Sequence, residues 1–343
     1  MFERCYSAVK RARRGFVFAA VPAVLVALFV GNAAAQGTKT IRIGVLDNPV
    51  IFPVLVAQEK GYFEKVGLQP QITYFDSGPA IGQALSGGSI DVGFSGGALP
   101  LFASRGAGTA VVVTSLEEDS VKVIAKQGIS AVKDLKGQPV AFTAGTSTQV
   151  VLYYALKAAG LTINDVQMVN TPPAGSVNAL VAGKVAAAVV FPPFSVQALK
   201  ALQGSTVIAS GKQFSPNTDF FNGYLANNKL LSADRDTVVR FVAAMILANA
   251  AITADYAGAS AGAYKSRFTK LDRLTYDEVL GGFAFKSNDW WRDVMTSGQI
   301  YDRADRLLNG FKEIGVVDNP ASSKKWFDAS VYADALKLVQ SLR

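Results

Sequence analysis

From about residue 40 to residue 202, short β-branched runs alternate with stretches in which apolar residues recur every three or four positions. Ile41–Leu46 reads as a strand, and a loop with Asp47, Asn48 and Pro49 leads to a helix over Pro53–Lys60 that Gly61 can close. Gln71–Phe75 is a second strand, and Ser77 caps a helix carrying Ile81, Ala84 and Leu85 that ends at Gly87-Gly88. Ile90–Ser95 is a third strand, followed by Gly96-Gly97 and a helix with Leu99, Leu101 and Phe102; Ala110–Thr114 is a fourth. Strand–helix alternation at this spacing predicts an α/β architecture, a mainly parallel sheet with helices on both faces.

The same order then begins again. Val140–Thr143 is a strand and Thr146–Ala159 a helix closed by Gly160; Val166–Val169, Ser176–Ala182, Ala186–Val190 and Pro193–Leu202 continue the alternation. Leu85–Pro100 and Leu180–Phe194 read as distant copies, with Gly88 answering Gly183 and Ile90 answering Val185. Two strand-like stretches, Val121–Ala125 and Asn222–Ala226, can connect the halves. The expectation is a two-lobed fold: lobe I from 36–122 and 223–343, lobe II from 123–222 inserted between two hinge strands, and a ligand cleft between them. From Ala233 onward the pattern is helical, with Val238, Phe241, Val242, Met245 and Ile246 on one face, and this tail is expected to pack on lobe I.

The N-terminal segment carries a different signal. Lys10, Arg11, Arg13 and Arg14 precede an apolar run from Phe16 to Val30, and Ala33-Ala34-Ala35 supplies small residues for cleavage. The run is shorter than the roughly 20 residues of a spanning helix and contains Pro22. Residues 1–35 are therefore expected to be a cleaved signal peptide, Sec or twin-arginine, that delivers the chain to the periplasm with no stable membrane insertion. Removal leaves 343 − 35 = 308 residues, enough for two domains of roughly 150 each. It also removes five Lys/Arg and one Glu, so the net charge falls from +8 to 8 − 4 = +4, too mild to argue for nucleic acid.

Chemistry narrows by elimination. The only cysteine, Cys5, lies in the signal, and the chain has no histidine, which removes Cys nucleophiles, His bases and His–Cys metal sites. No Walker-type loop, dinucleotide fingerprint or nucleophile elbow is present, so no cofactor and no metal are expected. Glu117, Glu118 and Asp119 read as a solvated acidic turn. What remains are small polar loops after strands, Ser95-Gly96-Gly97 and Gly145-Thr146-Ser147-Thr148, where open α/β sheets place ligands. Each opens a helix whose first N–H groups lack internal partners, an arrangement that attracts anions; ordinary N-capping uses the same residues. Asn222, opening the second connecting strand, joins the candidate site. Among Phe52, Phe94, Phe191, Phe194, Phe220 and Phe221, about half belong to the core, and Phe191, ahead of Pro192-Pro193, is the best pocket candidate.

Several stretches in order carry a resemblance: Ala57–Leu68 (AQEKGYFEKVGL), Gly88–Gly93 (GSIDVG), Asp134–Gly137 (DLKG), Gly145–Thr148 with Ala155–Leu161 (ALKAAGL), Gly315-Val316 and Phe327–Ser330 (FDAS). The chain resembles the periplasmic binding proteins for aliphatic sulfonates, taurine and nitrate, a family that includes thiamin-precursor binders. The resemblance implies a monomeric subunit of an ABC importer, partnered by a permease and its ATPase, that captures a small organic anion in a hinged cleft. It also implies ligand contacts at Asp47, Asn48, Pro49, Ser95, Gly96, Gly97, Gly145, Thr146, Ser147, Thr148 and Phe191. A neutral heterocycle such as a pyrimidine, or a stand-alone sensor role, is the alternative. Relatives commonly place Asp-Ala-Trp where Ala186-Ala187-Ala188 stands here and an acidic residue near the following prolines, so this turn is more apolar than theirs. The fold also carries a sulfinate desulfinase and a pyrimidine synthase, whose chemistry relies on Cys or His that the mature chain lacks.

Overall fold

The computed structural model describes residues 38–342; the expected signal peptide, with Cys5 and Arg13-Arg14, lies outside the described residues. The first half runs β1 (Lys39–Leu46), α1 (Phe52–Glu59), α2 (Tyr62–Lys65), β2 (Leu68–Phe75), α3 (Gly78–Ser86), β3 (Val92–Ser95), α4 (Leu99–Ser104) and β4 (Thr109–Glu117). The second runs β5 (Lys122–Ala125), β6 (Pro139–Phe142), α5 (Ser147–Ala158), β7 (Gln167–Asn170), α6 (Pro173–Val181), β8 (Ala187–Val190), α7 (Phe194–Ala201) and β9 (Thr206–Ser210). After β10 (Phe220–Ala226) the chain is helical: α8 (Asn228–Ala233), α9 (Arg235–Ala254), α10 (Tyr256–Ala263), α11 (Arg273–Gly281), α12 (Asn288–Thr296), α13 (Gln299–Glu313) and α14 (Ala329–Ser341).

These strands form two five-stranded sheets, ordered β2-β1-β3-β10-β4 and β7-β6-β8-β5-β9. The orders superpose term by term, so the second sheet repeats the first with β5 in the place of β10. The paired glycines bear the repeat out, since Gly88 and Gly183 both take the left-handed conformation at φ +75° and +69°. β3 and β8 are buried along their whole length, as strands covered on both faces should be.

Four strands of each sheet run in one direction, while β10 runs antiparallel to β3 and β4, and β5 antiparallel to β8 and β9. The sheets are therefore mixed, because each receives one strand that arrives from the other. The chain passes between sheets at 118–121 and again at 211–219, so the expected lobe boundary at 222/223 falls inside β10. A cation from the C-terminal region holds each passage: Lys286 pairs with Glu118 at 2.6 Å and Arg303 with Asp219 at 3.1 Å. Both cations also sit over the Trp290 ring, 6.0 and 5.2 Å from its centroid.

The core is built largely on α9, which packs on α1 and α14. Phe241 of α9 lies 5.1 Å from the Tyr224 ring and 6.3 Å from Phe63. α9 is long and apolar enough to cross a membrane by length and composition alone, yet 61% of its most apolar window is buried inside the protein. The main cluster takes in the face of the second sheet that carries α5, while Ile124, Ala141, Val177, Leu180, Val185, Ala188, Val190 and Ala198 form a separate small cluster. α5 meets α13 at Gly310, where a methyl group would stand 3.3 Å from Val150 Cγ1.

β10 and β4 meet through bulges. Thr114 is the extra residue between the pairs Asn222–Ser115 and Gly223–Val113, and its hydroxyl donates to the Asn222 carbonyl at 3.2 Å. A side chain on Gly223 would collide with the Val112 carbonyl oxygen. Gly223→Ala is expected to cost about 1–3 kcal/mol by overpacking a strand paired on both sides. Urea denaturation reads this out, and an unchanged midpoint refutes it.

Candidate functional site

The predicted loops form two polar clusters. In the first lobe, β4 extends three residues past the expected end at Thr114 and carries Glu117 inward. The Gly97 N–H donates to Glu117 Oε1 at 3.1 Å, and the Ser120 hydroxyl to Oε2 at 3.3 Å. Glu117 is only 9% exposed. Beside it lies Asn222, fully buried in β10, whose Nδ2 donates to Ser115 Oγ at 3.1 Å while its Oδ1 has no partner. Gly96 and Gly97 admit this arrangement by lacking side chains. A methyl on Gly96 would stand 3.3 Å from Asn222 Oδ1 and 3.5 Å from Glu117 Oε1; one on Gly97 would lie 3.1 Å from Glu117 Oε2 and from Phe220 Cβ.

Two expectations are corrected here. Glu117 is a buried carboxylate rather than part of a solvated acidic turn; of its neighbours, Glu118 is ion-paired with Lys286 and Asp119 stays half-buried. The Ser95–Gly97 loop does not present its Gly97 amide to an anion, because Glu117 already occupies it. The helix it opens has six residues and no side-chain cap. The signal lay in Thr114–Glu117, whose polar residues extend the strand register of the apolar run before them.

The second cluster is the loop between β6 and α5. Thr148 Oγ1 accepts from the Thr143 N–H at 3.1 Å, Asn170 Oδ1 from Ala144 at 3.0 Å, and Gln149 Oε1 from Gly145 at 2.8 Å. The Thr146 hydroxyl donates to the Thr143 carbonyl at 2.8 Å, and its oxygen caps the Thr148 N–H at 3.3 Å. Side chains of the loop and its neighbours thus lock its shape before any guest arrives, and the amides of Thr146 and Ser147 are left over. Gly145 holds φ +72°, with open space where a side chain would stand.

Both clusters flank the passages between sheets. Glu117 immediately precedes the first passage, and a methyl on Gly211, at the start of the second, would stand 3.6 Å from Val151 of α5 and 3.9 Å from the Glu118 carbonyl oxygen. No hydrogen bond joins one cluster to the other.

The remaining predicted residues have other tasks. Asp47 is exposed and paired with Arg267 at 2.8 and 3.1 Å, and that guanidinium lies 4.0 Å above the Tyr74 ring. Asn48 caps the short turn at Pro49–Ile51 by accepting from the Val50 N–H at 2.7 Å, and Pro49 is buried. Phe191 is half-buried, edge-on to Phe194 at 6.0 Å, beside the cis Pro192-Pro193 bond, whereas Phe52, Phe94, Phe220 and Phe221 belong to the core. A cavity of about 290 Å³ lies between α7 and α11 beside the Phe191–Pro193 turn, lined by Asp119, Lys122, Pro192, Ser195, Lys200 and Glu278 among others, although Phe191 itself is not in its lining. It touches the first passage and the turn after β8 but neither loop cluster, so its volume alone does not mark it as the site. Among the described residues no group of three His, Cys, Asp or Glu could hold a metal ion.

Two like mixed sheets, each receiving a strand from across a double passage and each ending in small polar loops, define the two-lobed periplasmic-binding-protein fold. The chain belongs to the NMT1-like family, which it matches over residues 34–263. A binding protein of Brucella abortus (strain 2308) is 28% identical over 310 residues, 89% of this chain and 95% of that one. An aliphatic sulfonates-binding protein of Escherichia coli (strain K12) is 32% identical over 197 residues, 55% of this chain and 60% of that one. Among solved structures, the periplasmic aliphatic sulphonate binding protein SsuA from Escherichia coli superposes with a TM-score of 0.69 at 22% identity, covering 86% of this chain and 99% of that one.

Burial pushes the Glu117 carboxyl from 4.5 up to about 7, and the hydrogen bonds from Gly97 and Ser120 offset this only in part. Between those values the native protein keeps a proton that the unfolded chain has released. The stabilising contribution is complete below about pH 4.5 and is lost as pH rises through about 7. Glu117→Gln removes this titration. Denaturation at about pH 5 and about pH 8 should show the wild type losing on the order of 2–3 kcal/mol relative to E117Q; a pH-independent difference between the two proteins contradicts the assignment.

Proposed function

We propose that this chain is the periplasmic ligand-binding subunit of an ABC importer, closing its two lobes on a small organic molecule and presenting the closed form to a permease and its ATPase. The observation that carries the reading is the pair of topologically equivalent sheets between which the chain crosses only twice, at 118–121 and 211–219, with a polar loop cluster beside the crossings on each side. That is the geometry of a hinge, and a guest that touches both lobes favours the closed state by its differential affinity for it. Membership of the NMT1-like family and the binding-protein names of its relatives support it.

We assign the lobes to the two sheets, the second running from β5 to β9, and the ligand site to Ser95, Gly96, Gly97, Asn222, Gly145, Thr146, Ser147, Thr148 and Phe191. The acidic group of the ligand, a sulfonate or carboxylate, goes to the Gly145–Thr148 loop. There the amides of Thr146 and Ser147 begin a helix of twelve residues, with no carboxylate in its first turn. A catalytic role is disfavoured, since the sequence after residue 35 has neither cysteine nor histidine.

A thermal-shift screen of sulfonates, carboxylates, nitrate and pyrimidines tests the reading. A ligand at 100 times its dissociation constant should add about 2.7 kcal/mol of stability. Gly145→Val should abolish that shift while leaving a folded protein with the ligand-free circular dichroism of the wild type, because the site around Gly145 is open and only its φ is special. Unchanged affinity removes the loop from the site.

A further inference from the structure

We infer that the first lobe reads a hydrogen-bond donor on the ligand, an ammonium or amino group held between the Glu117 carboxylate and the Asn222 amide oxygen. The inference rests on the importer-subunit reading and adds to it the chemistry of the ligand's other end. Three observations carry it. First, the polar groups that meet at Gly96 are acceptors. Ser115 Oγ holds Asn222 Nδ2, which leaves Oδ1 on the Gly96 side, and both Glu117 oxygens lie within 3.5 Å of where side chains on Gly96 and Gly97 would stand.

Second, Asn222 Oδ1 is unpaired although Asn222 is fully buried. A buried acceptor without a partner is costly, so such a group is retained where something completes it. Third, no basic side chain partners Glu117: its hydrogen bonds come from a backbone amide and a serine hydroxyl, and no cation opposes the effect of its burial. The carboxylate is thus available to a charge or dipole that the ligand brings. A sulfonate or nitrate group placed at this end would face a carboxylate and an amide oxygen, with the Gly97 N–H already engaged. The specificity this defines is for compounds bearing an amino donor, with the acidic or aromatic remainder turned to the second lobe.

The test uses matched pairs of probes: 3-aminopropane-1-sulfonate against propane-1-sulfonate, 4-aminobutyrate against butyrate, and 4-aminopyrimidine against pyrimidine. Affinities are measured by calorimetry at about pH 8 on the wild type, Glu117→Gln and Asn222→Ser. Gln at position 117 keeps an acceptor for Gly97 and a partner for Ser120 while removing the charge. The amino member of at least one pair should bind at least ten-fold tighter to the wild type, and E117Q should narrow that gap to within two-fold. N222S should reduce the same gap; if N222S does not melt cooperatively without ligand, E117Q alone decides.

Tight binding of the plain member of a pair, with no preference for its amino partner, overturns the donor assignment and leaves the importer reading standing. An amino preference that survives in E117Q overturns it as well, leaving Glu117 a structural role only. Silence from all six probes overturns the donor assignment as stated. A response to sulfonates or carboxylates in the wider thermal-shift screen would still uphold the importer reading in that case.

Discussion

Each sheet is completed by a strand that comes from the other side of the molecule, and that strand lies inside the sheet rather than at its edge. β10 is hydrogen-bonded on both flanks, to β3 and β4, and β5 likewise to β8 and β9. Neither sheet can shed its borrowed strand without losing two ladders, so the passages must stay short and must run side by side. The polar loops, the bulge at Thr114 and the buried Glu117 all sit where this constraint puts them, at the end of the sheet from which the chain departs.

Much of this was legible in the residues. The doubled strand–helix order, the Gly88/Gly183 equivalence and the placing of Gly145–Thr148 at the start of a helix follow from local patterns of apolar, small and turn-forming residues. Strand direction does not: β10 and β5 have the same local look whether they run with or against their neighbours, because direction is set by where the chain has come from. β9 gives no strand signal in the sequence, because Thr206 and Val207 are exposed at an edge. Glu117 hides its burial for a related reason. A charged residue beside two others looks solvated in one dimension, and only the fold of Gly97 across it shows the burial.

The first-loop residues teach the complementary point. Asp47 and Asn48 stand where a ligand contact was expected, yet their side chains are spent on Arg267 and on the Val50 amide. Position after a strand identifies a neighbourhood, whereas the identity of the hydrogen-bond partner decides the task. By that criterion the Gly145–Thr148 loop is left with free amide donors, whereas the cluster around Gly96 gathers the acceptors Glu117 and Asn222 Oδ1, so the two polar clusters differ in character.

The contact of α5 with α13 at Gly310 gives the second lobe an uneven suspension. One of its sides is continuous with the main core, while the other closes over a small cluster of its own. In the proposed closure α5 would move against α13, and at Gly310 the surface facing Val150 and Tyr154 is bare backbone. That seam is not bare throughout, because Lys157 of α5 pairs with Glu313 of α13 at 3.5 Å close to Gly310, so the proposed closure carries the cost of shifting or breaking a pair that spans the two halves.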